Sequence, residues 1–344
     1  MNASADNPVL VADVGGTNLN LALLIPEGKR FRLIRKARYR TQDEASLLEP
    51  VRRFLAADTT LWPDRACFSA AGPVMDRRIH LTNAPWDIDG VTLERELGIP
   101  VHLVNDFIAL SCGVVQLDLA DPHQVTPLPH GDGSLPAADP NGLALVVGAG
   151  TGLGVGFLVR TPMGDRAFPS EGGHIGLPVF DDDSLALWRH LNEGLTGPPG
   201  AEMAVSGMGL GHLFRFLLDS RRGPWTPTAT TILALPVVDQ PAAISTHAAS
   251  DPACARAMAL FVDLYARVCA ELVAVFLPTG GLYLAGGIAS KNVDHFLSGG
   301  RFMARFERNY RAHLDRLTRA TPVYLVHDYD ISLYGAAHAP DCTS

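Results

Sequence analysis

Cysteine is scarce in this chain: five residues in 344, at positions 67, 112, 254, 269 and 342. The count is odd and no C-x-x-C spacing occurs. That fits neither a disulfide framework nor a thiolate zinc site, and a reducing cytoplasm is the expected location. Positive charge is also in short supply, with 28 Lys and Arg against 36 Asp and Glu and a net charge of -8. General binding to nucleic acid or to a membrane surface needs a cationic face, so neither partner is expected. One basic stretch exists, "KRFRLIRKARYR" (29–40). Its Phe31, Leu33, Ala37 and Tyr39 alternate with Arg and Lys, which predicts a half-buried strand with a solvated face. The start of the chain has no basic segment, and Asp13 interrupts the first apolar run, so no secretory signal is expected.

Long charge-free runs are rare too. "LALVVGAGTGLGVGFLV" (143–159) is 17 residues without a charge, but glycines fill its centre. A membrane helix needs about 20 mostly apolar residues, and glycine weakens a helix, so a span is not expected. Gly-x-Gly-x-x-Gly is absent, because the third required position falls on Leu153, Val155, Phe157 or Val159. Neither a P-loop signature nor H-E-x-x-H occurs anywhere.

What remains is strand, glycine turn, strand, and the same shape recurs in "VLVADVGGTNLNLALLI" (9–25). With Gly16-Thr17 set on Gly150-Thr151, Leu19, Leu21 and Leu23 fall on Leu153, Val155 and Phe157. The repeat predicts two similar α/β domains facing each other across a cleft, each turning bare backbone N–H groups toward phosphate oxygens. "GGLYLAGGIASKN" (280–292) adds a third glycine turn after an apolar strand, at the strand's C-terminal end where α/β folds bind ligands. Asp13 opens the first loop, where a carboxylate can hold Mg²⁺ beside a phosphate. At 47% hydrophobic and 19% charged, 344 residues suffice for two such cores.

Seven ordered stretches resemble the bacterial glucokinase family of the actin-like ATPase superfamily. They are "DVGGT" (13–17), "LTNAPW" (81–86), "VNDFIAL" (104–110), "GAGTGLG" (148–154), "EGGHIG" (171–176), "AEMAVSGMGL" (201–210) and "LAGGI" (284–288). The cysteine-rich zinc motif of the repressor, open-reading-frame and kinase (ROK) family is missing. The resemblance implies ATP-dependent phosphorylation of D-glucose to glucose 6-phosphate, feeding glycolysis, with ATP and Mg²⁺ as cofactors and a homodimeric state. It implies sugar contacts at Asn105, Asp106, Glu171, His174 and Glu202, with Asp106 as catalytic base. Asp13, Gly15, Gly16, Thr17, Gly150 and Thr151 match the phosphate loops, Gly286 and Gly287 the adenosine loop, and Asp13 the metal position. Asn20 stands where close relatives often carry Arg. The implied fold is two ribonuclease H-like domains with an interdomain cleft, the smaller over 1–116 and completed by about 327–344, the larger over 117–326.

The residue types suit that chemistry without the family. Neighbouring sugar hydroxyls donate and accept, so carboxylates and an imidazole read them through charge-assisted hydrogen bonds. Gly172 and Gly173 argue against a helix joining Glu171 to His174. A kinase for another hexose, such as mannose, glucosamine or fructose, stays open. A non-enzymatic nucleotide-switched scaffold would dispense with the five sugar-binding positions, all of which are present. His102, His123 and His130 lack any such context. Asp251 as N-cap and Pro252 at N1 open a predicted core helix through Cys254, Met258, Phe261, Tyr265, Val268, Leu272 and Val275, stopping at Pro278. "HDYDISLYGAAHA" (327–339) is expected to pack as a closing helix.

Overall fold

Two α/β units make up the structure, a computed structural model that describes residues 7–81, 86–328 and 330–343. Residues 82–85 of the "LTNAPW" stretch lie outside the described residues. The first unit takes the chain up to Asp118, Gly156–Pro169 and the residues from Asp328; the second takes Leu119–Val155 and Ser170–His327. Gly156–Pro169 is therefore grouped with the first unit, although the sequence pattern keeps 117–326 together.

The strands that matter are β1 (Val9–Val14), β2 (Asn18–Glu27), β3 (Arg30–Arg40), β4 (Arg65–Ala70), β5 (Val101–Asn105), β6 (Val125–Pro127), β7 (Ala144–Ala149), β8 (Leu153–Thr161), β9 (Gly164–Ser170), β10 (Leu282–Ala285) and β11 (Val323–Val326). Among the helices, those that bear on the site and the cores are α1 (Leu48–Ala56), α2 (Asp106–Gly113), α3 (Gly207–Asp219), α4 (Pro252–Phe276), α5 (Gly287–Lys291) and α6 (Ile331–Cys342). The first sheet has the order β3-β2-β1-β4-β5, and the second β9-β8-β7-β10-β11 with β6 added at the edge. In the first, β1 runs antiparallel to β2 and parallel to β4. In the second, β10 runs parallel to both β7 and β11. The repeated hairpin thus starts a repeated five-strand order.

The first sheet buries both faces. Leu10, Ala12, Val14, Leu19, Leu21 and Leu23 pack with Val51 and Phe54 of α1, whereas Val9, Val11, Ala22 and Leu24 pack with Ala109 of α2 and Ala336 of α6. That two-sided burial changes the reading of 29–40. Leu23 pairs with Arg35 and Leu24 with Leu33, so Ile34 is an extra residue that inverts the side-chain alternation. Phe31 and Leu33 therefore join the α6 side, while Ala37 and Tyr39 join the α1 side. The predicted solvated face is interrupted: Arg35 lies over the Phe54 ring at 4.3 Å, and Lys36 pairs with Asp330.

In the second unit, α4 begins where its cap residues predict. The Asp251 carboxylate accepts from the backbone N–H groups of Ala253 and Cys254 at 2.9 and 3.1 Å. It ends on Leu277 in the left-handed conformation, just before Pro278. Its core stripe is shorter than expected, since Val275 is 73% exposed. Helical periodicity continues to Val275, but burial does not. His130, unassigned by sequence, is buried and hydrogen-bonds Glu307 at 2.9 Å and the Thr321 carbonyl at 3.0 Å. Among the described residues no helix is long and apolar enough to cross a membrane.

Candidate active site

Three parallel strands of the first unit finish side by side. Asp13 of β1 lies opposite Ser69 of β4, and Ala70 lies opposite Asn105, the last residue of β5. Strand C-terminal ends in α/β sheets present side chains and helix starts together. Here they bring Asp13 and Asp106 close enough for the Asp13 charge to act on Asp106.

Asp106 is the first residue of α2, and Asn105 is its N-cap. The Phe107 N–H donates to Asn105 Oδ1 at 2.9 Å and to Asp106 Oδ1 at 3.0 Å, while Asn105 Nδ2 donates to the Gly72 carbonyl at 3.2 Å. Asn105 thus holds the helix start and the 72 loop. Burial, reinforced by the negative charge of Asp13, raises the Asp106 carboxyl to about 6. A carboxylate with that value accepts a proton efficiently near neutral pH.

Asp13 is raised as well, with burial as the main cause. Ser332 of α6 donates to its Oδ2 at 2.9 Å, and Asn20 and Lys36 offset part of the burial effect. Asn20 lies directly opposite Asp13 in the β1–β2 pairing. This chain therefore sets a neutral amide against the acid. The adjacent turn is pinned: Gly15 N–H donates to Asn18 O at 2.8 Å, the Thr41 N–H to Thr17 O at 3.0 Å, and the Thr41 hydroxyl to Gly15 O at 2.7 Å. Gly16 completes that turn between strands.

The second unit gathers the other candidates around its own glycine turn. The Gly150 N–H donates to Gly152 O and the Gly207 N–H to Gly150 O, both at 2.8 Å, while the Leu153 N–H donates to Glu202 Oε2 at 2.8 Å. A side chain at Gly152 would bring its Cβ within 2.4 Å of that carboxylate. Thr151 at the tip is exposed. The turn between β10 and α5 abuts this loop: Gly286 has φ +90°, and a Cβ there would come within 2.6 Å of the Ala149 carbonyl. Gly287, which opens α5, has open space where a Cβ would stand.

Glu171 and His174 do share a turn after all. Residues Gly172–His174 form one 3-10 turn, and the His174 ring approaches the Glu171 carboxylate at 3.7 Å. The two glycines that oppose an α-helix permit this tighter turn, because Gly173 packs directly on the Leu153 carbonyl. The side chains of Glu171 and His174 are 92% and 62% exposed, free to meet a ligand. Their loop is tied to the Glu202 segment by the Ala201 N–H, which donates to Ile175 O at 2.7 Å.

Sequence reasoning missed Ser332 as a partner of Asp13 and Glu202 as the acceptor for the Leu153 N–H. Ser332 is 319 residues from Asp13, and no local pattern joins them. Glu202 showed only its carboxylate, not the backbone N–H it holds.

Comparisons with known proteins show the family. The glucokinase family profile matches residues 10–342. A glucokinase of Nostoc punctiforme is 33% identical over 343 residues, covering 96% of this chain and 97% of that protein. A glucokinase structure from an Antarctic psychrotroph superposes with a TM-score of 0.80 at 28% identity, covering 97% of this chain and 98% of that one. A ROK-family glucokinase from Streptomyces griseus, solved with glucose and AMPPNP, reaches 0.63 at 20% identity, covering 96% and 98%. The last likeness concerns the fold alone.

Proposed function

This chain belongs to the glucokinase family, and from that premise we propose that it transfers the γ-phosphoryl group of ATP to the 6-hydroxyl of D-glucose, giving glucose 6-phosphate for glycolysis. The observation that carries the reading is Asp106, aimed from the junction of a strand and a helix and raised to about 6 by burial and by Asp13. A sugar hydroxyl is a weak nucleophile at neutral pH. Asp106 accepts its proton as the phosphoryl group moves, which makes attack and proton loss simultaneous.

In this reading Glu171, His174 and Glu202 hold sugar hydroxyls, and Asn105 acts mainly by fixing the helix start under Asp106. Gly15, Gly16, Thr17, Gly150 and Thr151 present backbone to the phosphates, and Gly286 and Gly287 make room for the adenosine.

Mg²⁺ suits the residues present. No group of three or more acidic, histidine or cysteine ligands occurs among the described residues, but Mg²⁺ on a nucleotide takes one or two carboxylates with phosphates and water. Asp13, half-buried and raised beside Asp106, is the carboxylate that would hold it. When bound, Mg²⁺ neutralises charge on the transferring phosphates. Ser332 and Asn20 then orient the Asp13 carboxylate.

The proposal includes a cytoplasmic location, consistent with five unpaired cysteines, and a homodimer, which sedimentation equilibrium tests directly. The deciding experiment is a coupled ADP-release assay over a panel of hexoses and phosphoryl donors. Glucose with ATP is expected to give the highest kcat/KM. Preference for mannose, glucosamine or fructose would move the activity to another hexose, and no turnover with any sugar would overturn it.

A further inference from the structure

Away from the Asp106 site, the first unit carries a second cluster of reactive side chains. Cys112 sits in the last turn of α2 and Cys342 at the end of α6, both buried in the same apolar core. The two helices are pressed together at glycines. A Cβ on Gly335 would come within 1.7 Å of the Ala109 carbonyl, and one on Gly113 within 2.3 Å of the Ile331 carbonyl. In the core that these helices share, a side-chain hydrogen bond joins Cys112 and Cys342. His338, one turn before Cys342 on α6, also meets the Cys342 sulfur. Its ring approaches Asp165 at 3.9 Å on one side and Asp341 at 3.9 Å on the other.

We propose that Cys112 and Cys342 form a reversible disulfide on exposure to a hydroperoxide, with Cys342 as the attacking sulfur and His338 as its positioning base. The remaining thiols make the contrast. Burial pushes Cys67 and Cys254 up to about 12 and Cys269 well above its ordinary value, whereas the Cys112 S–H and His338 hold Cys342 below the usual thiol range. Thiolate character governs attack on peroxide. Both thiols are buried, so peroxide reaches them only when the last turn of α6 opens. Pro340 cannot donate a backbone hydrogen bond there, and terminal helical turns open readily.

The chemistry balances with the peroxide as the only oxidant. The Cys342 thiolate attacks one peroxide oxygen, an S–O bond forms, the O–O bond breaks, and the departing hydroxide takes the proton held by His338 to leave as water. The Cys112 sulfur then attacks the Cys342 sulfenic acid. An S–S bond forms, the S–O bond breaks, and the Cys112 proton leaves with the hydroxyl as a second water. Two thiols are oxidised by two electrons and one peroxide is reduced to two waters. The bridge would fasten the helix that starts at Asp106 to the helix that carries Ser332.

The test is a mass map of the folded full-length protein treated with hydrogen peroxide, quenched in acid and alkylated after denaturation. A Cys112–Cys342 linked peptide that dithiothreitol releases is expected, with Cys67, Cys254 and Cys269 fully alkylated. In Cys112→Ser the expected product is a Cys342 sulfenic acid trapped by dimedone. In Cys342→Ser, Cys112 should remain alkylatable, and His338→Gln should slow bridging by about tenfold. Circular dichroism checks that each variant is folded, and where one is not, the outcome in the unsubstituted chain decides. Both thiols staying reduced at an exposure that oxidises free glutathione in the same tube would overturn the proposal. So would bridging or oxidation at Cys67, Cys254 or Cys269 to the same extent.

Discussion

The two glycine hairpins share a strand order and differ in what surrounds them. On the alignment that superposes Gly16 and Gly150, Asp13 corresponds to Val147, and Asn20 to Gly154. The first copy therefore half-buries an acid with partners ready for it in Ser332, Asn20 and Lys36. In the second, Val147 is fully buried on β7 beside Leu284 of β10. A duplicated scaffold has divided the work. One copy carries ionisable groups, and the other carries bare backbone beside a second glycine turn.

The harshest way to break this contrast is to copy the acid into the wrong hairpin. Val147→Asp places a carboxylate in the second core without the partners that Asp13 has, and should cost about 3–5 kcal/mol or abolish folding. Urea unfolding measures it, and a cost below about 1 kcal/mol would mean that the partners around Asp13 are unimportant.

Next in size is Asp106→Asn. Turnover should fall by roughly a hundredfold or more, about 2.7 kcal/mol, while calorimetric glucose affinity stays within about tenfold. Normal kcat would remove Asp106 as the base. The same variant has a pH signature. Because the folded value of about 6 lies above an unfolded value of about 3.9, the native state holds its proton more tightly. Stability associated with the protonated acid is present below about pH 4 and is lost as pH rises through 6, about 3 kcal/mol in all. Asp106→Asn should therefore melt higher than the parent chain at pH 7.5 and equal it at pH 4. In the parent, kcat/KM should fall as pH drops below about 6.

A smaller effect separates the two duties of Glu202. Glu202→Gln keeps an oxygen for the Leu153 N–H but turns a charge-assisted sugar contact into a neutral one, so the glucose KM should rise about tenfold with the ATP KM little changed. Glu202→Ala removes the loop support as well, and both constants should rise. Equal changes in both constants for Glu202→Gln would show that the loop, and not the sugar, is what Glu202 serves.

A change of similar size is expected for Ser332→Ala, which takes one donor from Asp13. Thermal unfolding should show a loss of about 1–2 kcal/mol. No loss would assign the carboxylate's support to Asn20 and Lys36.

How much of this was legible in the sequence follows the range of the interactions. Turns and caps are local, so the glycine loops, the Asp251-Pro252 helix start and the strand end at Asn105 were readable from a few residues each. Ile34 was not, because an extra residue in a strand is defined only against its partner β2. The Ser332–Asp13 bond spans nearly the whole chain and leaves no local trace. Val275 matched the helical period, but burial depends on whether a neighbour is present at that height. The Glu171–His174 turn was misjudged because glycine disfavours the α-helix more than it disfavours a single 3-10 turn.

The discontinuity of the first unit has a consequence for its birth on the ribosome. Val9, Val11, Cys67 and Ala109 emerge early, yet Leu333, Ala336 and Ala337, which cover them, come from the far end of the chain. At roughly 5–20 residues per second, that apolar face waits on the order of ten seconds or more for its lid. The segments of the second unit, Leu119–Val155 and Ser170–His327, are all out before α6 begins. The natural order of assembly is therefore the second unit first, with the Asp13 and Asp106 pocket the last part to become native, when α6 docks and delivers Ser332.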